Sequence, residues 1–490
     1  MKKYISIILL ATLSTGLIAC GGAAANGTAT NGTVANGQAA NEPGTPEEAA
    51  TEEKNADNQE DLQPEKDFGP EDIPDADTGN DMAEGGDSKD GESANEAGSG
   101  GEDMNTEGPA IDGTGTASLK QSVNSFNWKL FETLDEKGNH FYSPYGLVSA
   151  LALADLAAKG DTKAELEELL SVSDLQAFES ASEAYTDRKW EDSAKLKNAS
   201  SIWLDKSLKQ SGGAKENFSD PAVKYFKGDF HSVDFRNNAE GAKQDISEWV
   251  NKATEGFIPD YAPGVNSDTV ADLLNAVYFY GEWDYPFKGE DTFKETFHGL
   301  KGDSEIDMMH NDHIDLRYIK DYKGISAIAY PYKDRNIEMD FLIPAEGQGK
   351  GIKELLLEAG KDEFFDALDS AEEMNITDLR LPKFNLDITW EGLSGTLKEL
   401  GLKTAFSDNA DFSNLAEELK ISDILHRAKL EVDEEGSRAA AVTEIMMELT
   451  GAMSVEEPIE FAVDRPFVLA IRDRESGIIL FMGMVNDLDG

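Results

Sequence analysis

The chain has 490 residues, and its 96 acidic against 44 basic side chains give a formal net charge of −52 at pH 7. A surface of that sign repels a phosphate backbone, so we exclude a nucleic-acid-binding protein. The single cysteine, Cys20, excludes an internal disulfide.

The first twenty residues have the pattern of a secretory signal. Lys2 and Lys3 precede an apolar run that is too short to span a bilayer. The run ends in Leu-Ile-Ala-Cys, which resembles the cleavage box of bacterial lipoproteins, where the thiol takes a diacylglycerol. The alternative is an ordinary signal peptide with a chance cysteine. We predict that residues 1–19 are a lipoprotein signal peptide and that Cys20 is the lipidation site.

This prediction implies a protein that is anchored to a membrane surface by its N-terminal lipid and does not span the membrane. It places the mature protein on the cell surface or the extracellular face. Gly21 stands where an aspartate is associated with inner-membrane retention in some bacteria. In a cell with two membranes we therefore expect the outer membrane.

A long acidic segment follows the cysteine. Residues 21–117 hold 24 acidic and 3 basic side chains, and Phe68 is their only aromatic residue. Such a composition cannot bury enough apolar surface to offset its chain entropy. We predict a disordered tether over residues 20–117, extended by repulsion between like charges. A calcium-binding tract is the alternative, but the segment has no spaced loop motif.

From Ser118 the composition becomes globular. Residues 118–490 contain no linker-like stretch, so we predict one domain of mixed α and β structure. A first amphipathic helix is predicted from apolar residues three or four positions apart: Leu119, Val123, Phe126, Leu130 and Leu134.

Two further helices carry recognisable start signals. One begins with Ser143 as cap and Pro144 in the first turn, and it is apolar enough to lie beneath a sheet. In the next, Thr162 and Glu165 have the spacing of a capping box. A later helix is predicted over residues 245–260.

Strand patterns cover much of the remaining chain, over residues 199–204, 268–287, 336–344, 379–388 and 423–432. Asn275 interrupts an otherwise apolar run, which indicates a buried central strand whose amide must find partners. In residues 336–344, Glu338 and Asp340 alternate with apolar residues. That alternation predicts an antiparallel strand with one buried and one exposed face.

The segment that follows Gly436 satisfies two periodicities. At period 3.6 it is an acceptable surface helix with Ser437 as N-cap. At period two, one face grades from small to apolar side chains: Ser437, Ala439, Ala441, Thr443, Ile445, Met447 and Leu449. The pattern leaves both structures open, and it suits a loop that can later become a strand.

Residues 434–444, EEGSRAAAVTE, resemble the hinge of the serpins, the superfamily of serine protease inhibitors. Residues 461–485 resemble their C-terminal strands, and the segments above resemble serpin elements in the same chain order. The resemblance implies a serpin domain over residues 118–490. It implies the α+β serpin fold, in which helices pack around a large central β-sheet plus two smaller sheets and the reactive-centre loop is exposed.

The resemblance also implies a function. A target serine protease cleaves the exposed loop and forms an acyl-enzyme, and the freed arm inserts into the main sheet and traps the protease covalently. An arm with small, uncharged inward side chains favours such an inhibitor. Arg438 departs from the acid usual in the family but lies on the outward face. The hinge residues are Glu435, Gly436, Ser437, Ala439, Ala440, Ala441 and Thr443.

The resemblance locates the reactive bond only approximately. Counting from Gly436 gives Thr450–Gly451, whereas counting back from Pro466 gives a position nearer Val455, because this loop is longer than a typical one. Leu449 and Met453 are therefore alternatives. None of these residues is basic, so we expect an elastase-like or subtilisin-like protease rather than a trypsin-like one.

Four residues match supporting positions of the family. They are Ser143, Asn275 and His426 in a polar cluster under the opening sheet, and Trp283 at the top, where insertion starts. Gly146 replaces a serine often found in that cluster, which implies one hydroxyl fewer.

Other functions have weaker support. His310 and His313 are close in sequence, but their spacing fits no zinc site, so we predict no metal and no cofactor. No G-x-S-x-G elbow, P-loop or dinucleotide fingerprint is present, so we predict no enzyme. The expected partner is a serine protease bound by a monomer. The alternative is a non-inhibitory surface lipoprotein of the same fold, used for adhesion or ligand binding.

Overall fold

The computed structural model describes residues 113–172, 174–188, 193–212, 214–259, 261, 264–390, 392–437 and 458–489. The predicted signal peptide, Cys20, the predicted tether as far as residue 112, and residues 438–457 lie outside this part of the chain. None of the helices in the described ranges is long and apolar enough to cross a membrane.

The described residues contain nine α-helices: α1 (Gly113–Thr133), α2 (Pro144–Ala157), α3 (Gly160–Leu169), α4 (Leu175–Thr186), α5 (Asp220–Phe226), α6 (Ala239–Ala253), α7 (Ile352–Ala359), α8 (Asp362–Asp369) and α9 (Leu393–Glu399). A π-helical turn (Lys215–Ser219) and two 3₁₀ turns (Gly289–Asp291 and Thr404–Phe406) also occur. The first helix begins ahead of the predicted Ser118, and it is followed by Leu134; all five predicted apolar positions are buried.

The same residues form seventeen strands: β1 (His140–Tyr142), β2 (Ala194–Asp205), β3 (Asp229–Val233), β4 (Ala271–Glu282), β5 (Thr292–Gly299), β6 (Gly302–Asn311), β7 (Ile314–Tyr322), β8 (Ile325–Pro331), β9 (Ile337–Pro344), β10 (Glu373–Ile376), β11 (Asp378–Pro382), β12 (Phe384–Trp390), β13 (Asp423–Val432), β14 (Gly436–Ser437), β15 (Glu460–Ala462), β16 (Phe467–Asp473) and β17 (Ile478–Val485).

The strands assemble into three sheets. A seven-stranded sheet has the order β1-β17-β16-β9-β8-β7-β10, and a four-stranded sheet has the order β15-β11-β6-β5. The six-stranded sheet has the order β12-β13-β14-β4-β2-β3. Within it, β13 and β4 also pair directly, and that pairing is parallel.

Helix α2 lies in the main hydrophobic core because nearly all of its side chains are apolar and buried. The predicted helix start is confirmed: the Ser143 hydroxyl accepts a hydrogen bond from the Gly146 amide at 2.9 Å, and Pro144 occupies the first turn. The predicted central strand with Asn275 is confirmed as β4, in which Asn275 is fully buried.

The predicted capping box is wrong. Helix α3 begins at Gly160, so Thr162 and Glu165 both lie inside it. The Thr162 hydroxyl accepts the Asp411 amide at 3.0 Å, and the Glu165 carboxylate accepts the Thr404 amide at 2.7 Å. These two side chains hold a distant loop against the helix and do not cap it.

Two predicted element boundaries are also wrong. Residues 379–388 form two strands in different sheets, β11 and β12, because the chain leaves β11 at Pro382, which cannot donate a ladder hydrogen bond. The helix predicted over 245–260 is α6, which begins at Ala239 under an Asn238 cap and ends at Ala253.

Strand β9 has no exposed face, contrary to the prediction. Glu338 and Asp340 are 2% and 0% exposed. Their charges are met by Arg472 on β16, whose guanidinium bonds Asp340 and lies 2.8 Å from Glu338, and by Arg317 on β7, which pairs with Glu338. Asp369 completes this buried ion cluster, 2.9 Å from Arg472.

Replacing Arg472 with methionine is expected to destabilise the fold by about 3–5 kcal/mol, because it leaves buried carboxylates without their partner. Urea unfolding measures the loss. Arg465→Met is the matched control, since that partly exposed arginine has its neighbour Asp464 as its one ion-pair partner among the described residues, and its effect should stay within about 0.5 kcal/mol. A loss below about 1 kcal/mol for Arg472→Met would contradict the stabilising role of the cluster.

Candidate functional site

The candidate site is the junction between β13 and β4. From Asp423 to Lys429, β13 pairs in parallel with β4 from Asp272 to Tyr278. Beyond that ladder the two strands separate, and β14 lies between them, antiparallel to both. We call this place the sheet junction. The two strands pair directly along most of the junction, and at one end a short strand already separates them.

A tight turn brings the chain from β13 into the junction. The Asp433 carboxylate accepts the amides of Glu435 and Gly436 at 3.0 and 3.2 Å, and the Asp433 amide donates to the Gly436 carbonyl at 3.0 Å. The carboxylate of Glu434 forms an ion pair with the ammonium of Lys383 at 2.7 Å. These bonds fix the direction in which the following residues enter the sheet.

Gly436 is required by the close approach of two backbones. A Cβ atom at this position would lie 2.1 Å from the carbonyl oxygen of Gly281 on β4. Any side chain would therefore push β14 out of the sheet. The predicted hinge glycine acts here through its small size.

Ser437 enters the core next to two stacked aromatic rings. Its side chain is 1% exposed, and its hydroxyl lies 2.7 Å from the Tyr332 hydroxyl. Tyr332 stacks on Trp283 with ring centroids 4.4 Å apart. The Trp283 indole donates to the Asp433 carbonyl at 3.0 Å, and its amide donates to the Glu435 carbonyl at 2.9 Å. Trp283 thus supports the turn and the entering residue together.

The predicted polar cluster is brought together beneath the junction. The Ser143 amide donates to His426 Nε2 at 3.0 Å, and His426 Nδ1 lies 2.9 Å from Asn275 Oδ1. Because Nε2 accepts, Nδ1 carries the proton and donates to the asparagine. The Ser143 hydroxyl donates to the Leu480 carbonyl at 2.6 Å. The cluster therefore links α2, β13, β4 and the neighbouring sheet.

Asn275 is satisfied by β2 on its other side, where its amide nitrogen donates to Asn198 at 2.7 Å and to Ser200 at 3.0 Å. Its carboxamide also fills the space beside Gly146. A Cβ atom on Gly146 would lie 2.4 Å from Asn275 Oδ1. The missing hydroxyl at Gly146 therefore reflects a different packing of the cluster, in which asparagine occupies the space a serine would need.

Burial keeps the cluster neutral. It lowers the pKa of His426 to about 3, so the imidazole is uncharged at neutral pH and can accept from Ser143. The unfolded chain takes up a proton near the ordinary histidine pKa of about 6.5. Stability associated with His426 is therefore lost as the pH falls below about 6.5.

The far end of the junction carries two carboxylates side by side. Asp272 on β4 and Asp423 on β13 are register partners. Asp423 accepts the Gly392 and Ser394 amides at the start of α9, at 2.6 and 3.2 Å. Asp272 is 3% exposed, and burial, followed by the charge of Asp423, raises its pKa to about 7.

Asp272→Asn is expected to stabilise the protein above pH 7 and to change little near pH 4. The folded state holds the Asp272 proton more tightly than the unfolded state, whose pKa is about 3.9, so stability falls as the pH rises from about 4 to 7. His426 gives the opposite slope, so the measurement is the difference in unfolding free energy between variant and parent. We expect that difference to grow by about 4 kcal/mol between pH 4 and pH 8, because a shift of about three pKa units corresponds to about 1.4 kcal/mol per unit.

The control for this pH series is Asp366→Asn, at a carboxylate whose side chain is 69% exposed. Its difference curve should be flat across the same range. A flat curve for Asp272→Asn as well would show that the buried carboxylate does not titrate in this window.

The two histidines considered as metal ligands have separate partners. His310 Nε2 lies 2.8 Å from Glu295, and His313 Nδ1 lies 3.3 Å from Asn375. Within the described ranges, no group of three or more His, Cys, Asp or Glu residues is placed to hold a metal ion.

Some predicted site residues lie outside the described residues: Arg438, Ala439, Ala440, Ala441, Thr443, Leu449, Thr450, Gly451, Met453 and Val455. Conversely, sequence reasoning missed Tyr332, Asp433 and Asp272. Asp433 follows a strand and precedes a glycine, which is a turn signal. The other two gave no signal of their position beside the junction.

Comparisons with known proteins agree with this architecture. A family model described as serpin (serine protease inhibitor) matches residues 121–488. A serpin-like protein of Thermococcus kodakarensis is 31% identical over 377 residues, covering 75% of this chain and 86% of its own. Leukocyte elastase inhibitor A of Mus musculus is 32% identical, covering 75% of this chain and 98% of its own. The solved structure of tengpin, a thermophilic serpin in its native state, is 26% identical with a TM-score of 0.66, covering 76% of this chain and 94% of that one.

Proposed function

The chain belongs to the serpin family, and on that premise we propose that it is an irreversible, suicide-substrate inhibitor of extracellular serine proteases. The predicted serpin fold is confirmed, with helices packed on three sheets. Serpins act on target serine proteases and are inhibitors, not catalysts, so we assign no enzymatic activity to this chain.

The observation that carries the proposal is the position of β14. Its two residues already pair with β13 on one side and β4 on the other. If the arm continued in this register after cleavage, Thr443 would lie opposite Asn275 and His426. Residues 440–446 would then replace the whole parallel ladder between β13 and β4.

The exchange of ladders supplies the driving force. One parallel ladder is lost, and two antiparallel ladders, which are slightly more stable per residue, are gained. At a net of about 1 kcal/mol per hydrogen bond, inserting about ten residues gains on the order of 10 kcal/mol. A cleaved loop obtains this free energy only by inserting into the junction. Insertion is the step that moves an attached protease along with the arm.

The sequence of the arm fits this register. The side chains that would face α2, on the side of Asn275, are those of Ser437, Ala439, Ala441 and Thr443, and all are small and uncharged. Arg438 would face the other way and lie opposite Glu431 on β13. An acidic neighbour there compensates for the basic residue at a position that is usually acidic in the family.

For specificity, we propose the reactive bond Thr450–Gly451, with Leu449 and Met453 as alternatives. A primary residue of this kind suits proteases that accept small or medium apolar side chains. The name of the mouse relative, leukocyte elastase inhibitor A, supports an elastase-like preference. Subtilisin-like enzymes have the same requirement and are the second candidate class.

The test is a complex that survives boiling in detergent. The full chain is mixed with elastase-like and subtilisin-like enzymes, and the same enzymes with a blocked active-site serine are the control. We expect a covalent band only with active enzyme, and mass spectrometry of the released peptide then maps the bond. Cleavage without any complex across the panel would refute the proposal and favour the adhesion or ligand-binding alternative.

We further propose that the protein is a monomer anchored through Cys20 at the cell surface, with the acidic segment as tether. A Cys20→Ser variant expressed in bacteria is expected to lose labelling by radioactive palmitate and to leave the membrane fraction. Retention of both properties would refute the lipid anchor and leave the inhibitor proposal untouched.

A further inference from the structure

A cleft of about 340 Å³ lies between α6 and the edge of the six-stranded sheet, on the side of β3. Its walls include Trp203 on β2, His231 on β3 and Trp249 on α6. No step of the proposed inhibitory reaction uses these residues. We call this place the aromatic cleft.

The rings form two walls that meet at nearly a right angle. His231 stacks on Trp203 with centroids 4.0 Å apart and planes at 16°. Trp249 stands across that pair, at 83° to Trp203 and 72° to His231. Such a corner of aromatic faces is the geometry in which proteins hold organic cations.

Acidic side chains surround the rings. Asp245 and Glu248 line the cleft from the same face of α6 as Trp249, and Asp229 accepts the Trp249 indole N–H at 2.7 Å. Neither Asp245 nor Glu248 pairs with a basic side chain of the described ranges, although Glu248 accepts a hydrogen bond from Gln244. Lys252, the one basic residue lining the cleft among the described residues, lies one turn further along α6.

The ring of His231 forms an uncharged wall of the cleft, and one of its two nitrogen atoms lacks a hydrogen-bond partner among the described residues. Burial lowers its pKa, so the ring is neutral at pH 7 and does not repel a cation. Its Nε2 atom is buried, 4.0 Å from the nearest Asp229 oxygen, and has no hydrogen-bond partner within the described part of the chain. The cleft therefore combines aromatic faces with a net negative charge.

We propose that the aromatic cleft binds a small organic cation with N–H donors, a guanidinium or a primary ammonium. The cation packs against the rings of Trp249 and His231, and its N–H groups donate to Asp245 and Glu248. A quaternary ammonium would make the cation–π contact with the rings, but it has no N–H group to donate to the carboxylates. The strongly negative net charge of the chain raises the local concentration of such a cation.

The test uses butylguanidinium and its neutral isostere butylurea as probes, titrated into the full-length chain and followed by ligand-observed NMR. Butylguanidinium is expected to saturate with a Kd on the order of 10 mM, the range set by one exposed cation–π contact and two exposed ion pairs. Butylurea should bind about tenfold more weakly or not at all. Equal affinity for the two probes would overturn the proposal.

Variants separate this site from general electrostatic attraction. Asp245→Asn combined with Glu248→Gln should weaken butylguanidinium about fivefold, and Lys252→Gln should tighten it about twofold. Glu240→Gln removes the same charge from α6 at an exposed residue paired with Lys243, and it should change nothing. An equal loss in the Glu240 variant, or no loss in the double variant, would refute a defined site.

Trp249→Leu tests the aromatic wall. It keeps an apolar side chain on α6 and should weaken butylguanidinium about threefold, the loss of one exposed cation–π contact. A thermal melt of the variant checks that the fold is kept. Unchanged affinity in a folded Trp249→Leu protein would show that the ring takes no part in binding.

Discussion

Cleavage of the reactive loop is expected to raise the thermal midpoint of the protein by about 10 °C or more. Insertion of the arm gains on the order of 10 kcal/mol in ladder hydrogen bonds. For a domain of about 370 residues, an unfolding entropy of about 2.1 cal/mol/K per residue converts that gain into a shift of this size. The rise would be unusual, because a nick in a polypeptide normally lowers stability.

The measurement is calorimetry before and after limited digestion with a catalytic amount of subtilisin. Gel analysis verifies a single cut within residues 447–455 and rules out a second cut. If the nicked protein melts at or below the midpoint of the intact protein, the arm has not entered the sheet. The trapping mechanism would then be wrong for this chain.

Ser437→Arg is expected to abolish the covalent protease complex while leaving the loop cleavable. Ser437 is buried against Tyr332 at the entrance of the sheet junction, and it is the first residue of the arm. A buried arginine without a partner costs several kcal/mol. The intact chain can avoid this cost by releasing the two-residue strand β14, whereas the inserted arm cannot, and about 3 kcal/mol against insertion shifts the outcome about 100-fold from complex to cleaved product. Gel quantification of complex against cleaved inhibitor gives this ratio.

Ser437→Ala is the matched control, since it removes only the hydroxyl that meets Tyr332. We expect it to form complex nearly as well as the parent and to show the same rise in midpoint after cleavage. The arginine variant, once cut, should show no such rise. A normal yield of complex from Ser437→Arg would mean that this residue need not stay in the sheet during inhibition.

Much of the fold could be predicted because its signals are local. The boundaries of β13 follow from alternation, and the buried position of α2 follows from its apolar length. The errors concern partners distant in sequence. Glu338 and Asp340 looked like an exposed face because nothing nearby indicates that Arg472 neutralises them. Likewise, the pattern across Pro382 continues although the chain changes sheets.

The candidate site was less accessible to sequence reasoning. Periodicity places Ser143, Asn275 and His426 on separate elements, and only the resemblance to serpins grouped them. The packing of Asn275 against Gly146 could not be predicted, because it depends on a side-chain direction set by His426 and Asn198. Tyr332 was missed for the same reason: its contact with Ser437 forms only in the assembled sheet.

Helix α6 packs on both of the strands, β13 and β4, between which the arm must insert. The apolar cluster beneath it joins Leu425 on β13 to Leu274, Ala276 and Tyr278 on β4. Under the proposed mechanism β13 and β4 move apart. Helix α6 must therefore lose its packing contacts with at least one of these strands within the lifetime of the acyl-enzyme. Inhibition then depends on whether this helix is released before water hydrolyses the ester bond of the acyl-enzyme. Mutations that strengthen the packing of α6 on the sheet would therefore turn an inhibitor into an ordinary substrate, although the loop itself is unchanged.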